Sequence, residues 1–196
     1  LDEGVAELVA LDEQAKQPAD VAALNAALGE LYRHVARQQP GAVRRRTEHS
    51  AVGRFLRASG AWGHDSVAGI ESLRMAADTA RDLSGGCSSE LEFALGVQGQ
   101  YAAALGTKSE EGQAAWAQLA QYQYFRQDFE GALQSLATIE EGVASEELSA
   151  ELREVCVSLT GSALKQLERY EEAIVSLQQT LVLLAPDQVE RRRQTT

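Results

Sequence analysis

Apolar residues recur at three- and four-residue intervals along almost the whole chain, the period of amphipathic helices rather than of strands. Val5, Leu8, Val9 and Leu11 predict a helix over residues 2–16 that ends before Pro18, and Val21, Leu24, Leu28, Leu31 and Val35 predict another over 20–38 that ends before Pro40 and Gly41. Proline stops a helix because it lacks an amide donor and pushes the preceding residue out of helical geometry. These two helices are expected to lie antiparallel. Val52, Phe55 and Leu56 face inward from a third helix over 42–58, which should stop around Gly60 and Gly63. Trp62 between those glycines has two readings, a plug between helices or an exposed anchor for a partner.

Asp65 or Ser66 is placed to cap a helix over 66–83 with a broad stripe of Val67, Ile70, Leu73, Met75, Ala76 and Ala80. Ser84, Gly85 and Gly86 mark a break. Ser88 or Ser89 followed by Glu92 has the form of a capping box, opening a helix that carries Leu91, Phe93, Leu95, Val97, Tyr101 and Leu105. Beyond a connector at 108–112, helices are expected near 113–125, 129–141, 147–167 and 170–185, the second of them capped by Asp128.

Within those last four helices one sparse series occurs twice. The first copy runs Trp116, Leu119, Ala120, Tyr124, Phe129, Ala132, Leu136, Ile139, and the second runs Val157, Gly161, Leu164, Tyr170, Ala173, Leu177, Leu181, Pro186. Ala120 precedes Ala132 by the same interval as Gly161 precedes Ala173. Such spacing suits two short antiparallel helices that touch where their side chains are smallest. The offset between the copies is constant, being the same from Ala120 to Gly161 as from Ala132 to Ala173.

This series resembles the tetratricopeptide repeat, a helix-turn-helix unit with an aromatic or leucine, a leucine, a small residue and an aromatic in its first helix and a small residue in its second. The carrying residues are Trp116, Leu119, Ala120, Phe129, Ala132 and Leu136, then Gly161, Tyr170, Ala173 and Leu177, with Tyr-Glu-Glu-Ala at 170–173. The resemblance implies an all-α fold, a right-handed superhelix of antiparallel helix pairs forming a single helical domain over 1–196. Residues 113–187 would hold two clear repeat-like units, and residues 1–83 divergent helices or degenerate repeats. The family's unit is about 34 residues. The offset from Ala120 to Gly161 is longer than that, which implies an insertion after Gly142, with residues 145–151 lengthening the first helix of the last unit.

The resemblance further implies a groove lined by first-helix side chains, here Ala114, Ala117, Gln121, Tyr124 and Phe125, then Val155, Ser158, Ser162, Lys165 and Gln166. From these, Gln121, Tyr124, Phe125, Ser158, Ser162, Lys165 and Gln166 are the partner-binding candidates, with Tyr124 and Phe125 open to either a groove or a core role. Trp116, Leu119, Ala120, Ala132, Gly161, Tyr170 and Ala173 are assigned to packing. The lysine and asparagine clamp by which some relatives hold a terminal carboxylate is not matched, because Ala114, Ala117 and Gln121 stand where it would begin.

Composition supports helix and narrows the chemistry. The 44% apolar content argues against disorder, and three prolines in 196 residues leave helices uninterrupted over long stretches. The net charge of −11 is concentrated beyond residue 86, where 17 acidic side chains face 8 basic ones. Such a surface repels phosphate backbones, so no nucleic-acid partner is expected, and a basic or neutral protein partner is favoured. Arg44, Arg45 and Arg46 read as a solvated helix start ahead of an anion site, and Arg191, Arg192 and Arg193 as cover for a helix end ahead of a contact patch.

Cys87 and Cys156 have no metal or disulfide spacing, Cys156 is expected to be a small buried hydrophobe, and a cytoplasmic or other reducing compartment is expected. No apolar run is long enough for a membrane span, and a chain beginning at Leu1 reads as a fragment or trimmed product. His34, His49 and His64 are too widely spaced for a local metal motif, and no glycine-rich phosphate cradle occurs.

Neither catalytic groups nor a cofactor are therefore expected. The leading expectation is a scaffold or adaptor that binds a peptide or helix of another protein. A regulatory peptide- or ligand-sensing domain of a larger signalling or transcriptional protein and a self-assembling structural protein are the alternatives, and the oligomeric state stays open.

Overall fold

The computed structural model describes residues 17–83, 88–142 and 148–183, which form eight helices with no strand among the described residues. The all-α expectation holds at this level. The helix expected over 2–16, the Ser84-Gly85-Gly86 break, Cys87, Pro186 and the three arginines at 191–193 lie outside the described residues. Contacts divide the chain into two compact units, Leu1–Leu105 and Gly106–Thr196.

The first unit contains α1 (Pro18–Ala36), α2 (Gly41–Trp62), α3 (Val67–Leu83) and α4 (Ser88–Leu105), each packed on its neighbour in sequence. Pro18 opens α1, where its missing N–H would have had no helical partner. The α1–α2 contact is close, since the Phe55 ring fills the space beside Gly29. Leu28, Val52, Phe55 and Leu73 are fully buried around it.

Two buried polar side chains of this unit, Asn25 and Glu48, are paired. The Asn25 amide donates to Val21 O at 2.8 Å and accepts from Arg54 Nη1 at 3.0 Å, and Glu48 accepts from Arg44 Nε at 2.8 Å. Helix α2 runs a turn further than the sequence predicts, through Gly60 to Trp62, and ends at Gly63 with φ 89°, a value that suits glycine. Gly60 does not break it, because an exposed glycine inside a helix costs only about 1 kcal/mol against alanine and the rest of the helix is packed. Trp62 is half-buried at that end.

One helix-start device occurs in both units. Ser66 accepts from the Gly69 N–H at 3.0 Å ahead of α3, and Ser109 accepts from the Gly112 N–H at 3.1 Å ahead of α5. Each serine follows a positive-φ glycine, Gly63 or Gly106, whose carbonyl oxygen presses on the site where a Cβ of Gly69 or Gly112 would be. Gly-x-x-Ser-x-x-Gly at 63–69 and 106–112 thus encodes the same local geometry twice.

The second unit contains α5 (Glu110–Phe125), α6 (Phe129–Gly142), α7 (Ala150–Gln166) and α8 (Tyr170–Leu183). Helix α5 packs on α6, α6 on α7 and α7 on α8, and α5 also touches α7. Two hairpins result, and their turns are hydrogen-bonded alike. In the first, the Asp128 N–H donates to Gln123 O and the Gln127 N–H to Tyr124 O; in the second, the Arg169 N–H donates to Leu164 O and the Glu168 N–H to Lys165 O. This is the Schellman closure of a helix C-terminus. It places Gln127 and Glu168 at φ 67° and 61°, in a left-handed region that L-residues rarely adopt.

The core of this unit is Ala117, Ala120, Ala132, Leu136, Ile139, Leu148 and Cys156. Trp116, Tyr124, Leu152, Val155 and Leu159 pack against it from its edge. Helix α7 starts at Ala150, with Ser149 accepting from the Leu152 N–H, so the lengthened helix expected over 145–151 does not include Leu148 or Ser149. Leu148 instead turns into the core.

Candidate functional site

Helices α5 and α7 meet beside a groove of about 560 Å3 in the second unit. From α5 it is lined by Gln121, Tyr124 and Phe125, residues spaced to share one helix face. From α7 come Glu151, Glu154, Val155, Ser158, Leu159 and Ser162, again one face. The floor is apolar, because Tyr124, Val155 and Leu159 rest on the buried core.

Tyr124 takes the half-buried position its two readings straddled. Its ring meets Phe129 edge-on at 5.3 Å and Phe125 at 6.2 Å, which holds it at the groove wall. Phe125 is 69% exposed, a large apolar side chain left in water at the last position of α5. Gln121 accepts from Gln118 Nε2 at 3.2 Å, and the Ser158 and Ser162 hydroxyls add further polar groups along the wall.

Five of the seven partner-binding candidates, Gln121, Tyr124, Phe125, Ser158 and Ser162, are therefore brought together. Lys165 and Gln166 are exposed at the C-terminal end of α7 and do not line the groove. Ala117, expected to line it, is buried in the core instead. Ala114 is exposed outside the groove.

Glu151 and Glu154 were missed by the sequence reading. The signal was present in the helical spacing from 151 through 154, 155, 158 and 162, but the family positions begin only at Val155. Glu151 stands in the first turn of α7, where the helix dipole favours negative charge, and Glu154 one turn further along the same face.

Leu119, Ala120, Ala132, Gly161 and Ala173 are buried, and Trp116 is half-buried against the core. Tyr170 is 56% exposed at the first position of α8 and belongs to the surface. Ile174 and Leu177 follow it on the same helix, also exposed at 55% and 44%.

A second hollow of about 750 Å3 lies in the same unit between α6, α7 and the start of α8. Arg169 spans it, at 3.8 Å from Glu130 and 2.7 Å from Glu172, and the hydrogen bond from Arg169 holds the Glu172 carboxyl below its ordinary range. These are solvent-facing ion pairs of small energetic weight.

The histidines do not converge. His34 pairs with Gln38 at 3.0 Å, His64 with Ser59 at 2.8 Å, and the His49 ring lies 4.8 Å from Phe93. Ser59 is fully buried and His64 is exposed. Among the described residues no cluster of three or more His, Cys, Asp or Glu is placed to hold a metal, and no helix is long and apolar enough to cross a membrane. No known protein family matches the chain, and no curated protein is detectably similar to it.

Proposed function

We propose that this chain is a non-enzymatic helical-repeat scaffold or adaptor, similar to tetratricopeptide-repeat proteins, that binds a peptide or helix of another protein in the α5–α7 groove. One observation carries the reading: Gln121, Tyr124, Phe125, Ser158 and Ser162, separated in sequence, line a single groove with Phe125 standing open in it. An aromatic that is rigid, half supported and exposed supplies apolar area at low entropic cost, and the amide and hydroxyls give direction to a bound backbone. The matching turns at Gln127 and Glu168 support a repeated helix-pair unit. A reducing intracellular compartment suits the unpaired, buried Cys156.

Affinity capture with the native chain and with a Tyr124→Ala/Phe125→Ala variant tests this. A partner held by the native chain and lost by the variant supports the reading, and an identical set of captured proteins sinks it. Self-assembly is a second reading, favoured by the exposed Tyr170, Ile174 and Leu177 of α8. Mass by light scattering across a concentration series separates it, since a monomer at every concentration excludes it.

A further inference from the structure

We propose that the exposed face of α8 docks on the same face of a second copy of this chain, the two helices running antiparallel across a two-fold axis at Ile174, an inference that rests on the self-assembly reading and names its surface. Tyr170, Ile174, Val175 and Leu177 are exposed at 56%, 55%, 54% and 44%. Tyr170, Ile174 and Leu177 follow one another at intervals of four and three, the seam by which two helices pair. The offset that carries Ala132 onto Ala173 also carries Phe129, Leu133 and Leu136 onto these three residues. Helix α6 packs on both α5 and α7, and there Leu136 is buried and Phe129 and Leu133 are half-buried. Helix α8 packs on α7 and leaves the matching stripe in water. The opening is therefore one that a further helix fits.

A copy of α8 supplies such a helix with the same spacing. Under a two-fold axis one stripe serves as both halves of the contact, so no second complementary surface is needed. Charge sets the direction. Parallel pairing lays the exposed Glu171 beside Glu171 of the other copy, a like-charge contact, whereas antiparallel pairing moves these carboxylates to opposite ends. It also sets Tyr170 beside Gln178 of the other copy, a phenol against a carboxamide.

Area sets the strength. At about 200 Å2 for a tyrosine and about 100 Å2 for each aliphatic side chain, the exposed fractions leave about 250 Å2 of apolar surface on each copy. With a polar rim in the usual proportion, the pair of copies buries about 900 Å2, which falls among weak, reversible contacts and short of permanent dimers.

The test is sedimentation equilibrium of the full chain at about 0.3 M salt, where repulsion between two acidic chains is screened. The native chain should pass from monomer to dimer with a Kd on the order of 100 µM. Ile174→Asp sets two like charges against each other on the axis and should weaken the dimer by about tenfold or more. Val67→Asp makes the same change at an 87% exposed residue of α3 and should leave the Kd within about twofold; melting curves check that both variants fold. In a Cys87→Ser background, Ile174→Cys should be trapped as a disulfide-linked dimer under mild oxidation and Glu171→Cys should not, because only a residue on the axis meets its own copy.

A dimer that Ile174→Asp leaves intact, or that Val67→Asp weakens as much, uses another surface and overturns the inference while keeping self-assembly. Trapping of Glu171→Cys in preference to Ile174→Cys overturns the antiparallel pairing. A chain that stays monomeric up to about 1 mM overturns both the inference and the self-assembly reading, and leaves the face to a different protein.

Discussion

Gly161 of α7 lies directly against Leu177 of α8, so that a Cβ on Gly161 would stand 2.7 Å from Leu177 Cδ2 and 2.8 Å from its Cγ. The helices approach this closely because position 161 carries only hydrogen. Leu177 is 44% exposed, which leaves it room to turn aside from a methyl group but not from a branched side chain. Gly161→Ala should therefore stay within about 1 kcal/mol of the native chain, the gain in helix propensity offsetting the displacement. Gly161→Leu should cost roughly 1–3 kcal/mol by overpacking. Urea unfolding measures both, and an unchanged midpoint for Gly161→Leu would count against the contact.

Gln127 and Glu168 close the two hairpins at φ 67° and 61°, conformations that glycine adopts without a Cβ penalty. Gln127→Gly and Glu168→Gly should each stabilise the chain by about 0.5–1 kcal/mol, the relief of left-handed strain exceeding the added entropy of the unfolded chain. Thermal melting should show both midpoints rising. A fall in either would mean that the side chain makes a contact worth more than the strain.

Phe125 and Ile139 separate surface from core. Phe125→Ala should change stability by no more than about 0.5 kcal/mol because 69% of the side chain is already in water. Ile139→Ala removes a fully buried side chain and should cost about 2–5 kcal/mol. If Phe125→Ala unfolds as readily as Ile139→Ala, the aromatic is part of the core and the open groove is misassigned.

Burial pushes the Cys156 thiol from its ordinary value of 9.0 up to about 11. In that interval the folded chain retains a proton that the unfolded chain has lost, so stability falls as the pH rises from 9.0 toward 11 and is unaffected below 9.0. The loss should reach no more than about 3 kcal/mol. In a Cys87→Ser background, comparison with Cys156→Ala by urea unfolding isolates it. Matching alkaline slopes in the two chains would contradict the assignment. The same burial should make Cys156 slow to react with iodoacetamide until the chain unfolds.

Helix positions were legible in the sequence because they rest on local causes. Apolar spacing, Pro40, and the Asp128 side chain, which accepts from the Gly131 N–H at 3.0 Å, act within a few residues of where they stand. The constant offset from Ala120 to Gly161 and from Ala132 to Ala173 was legible for the same reason, and it recurs in the hydrogen bonds of the two turns. The resemblance to the tetratricopeptide repeat singled out Gln121, Tyr124, Phe125, Ser158 and Ser162, and they line one groove because residues on one helix face reach one surface together.

What lies opposite a face is another matter. Small residues at 161 and 173 marked where α7 and α8 approach, but not that Leu177, one turn beyond Ala173, is the side chain lying against Gly161. Ala117 and Gln121 are a turn apart on α5, and only the rotation of that helix against its neighbours puts the first in the core and the second in the groove. Glu151 and Glu154 joined the groove by the same kind of decision. Where helices form, to within about a turn, and which residues share a helix face follow from local pattern, because hydrogen bonding and side-chain period act at short range. Tertiary structure alone decided which surfaces meet, because helix rotation and crossing are set jointly by every side chain packed between the helices.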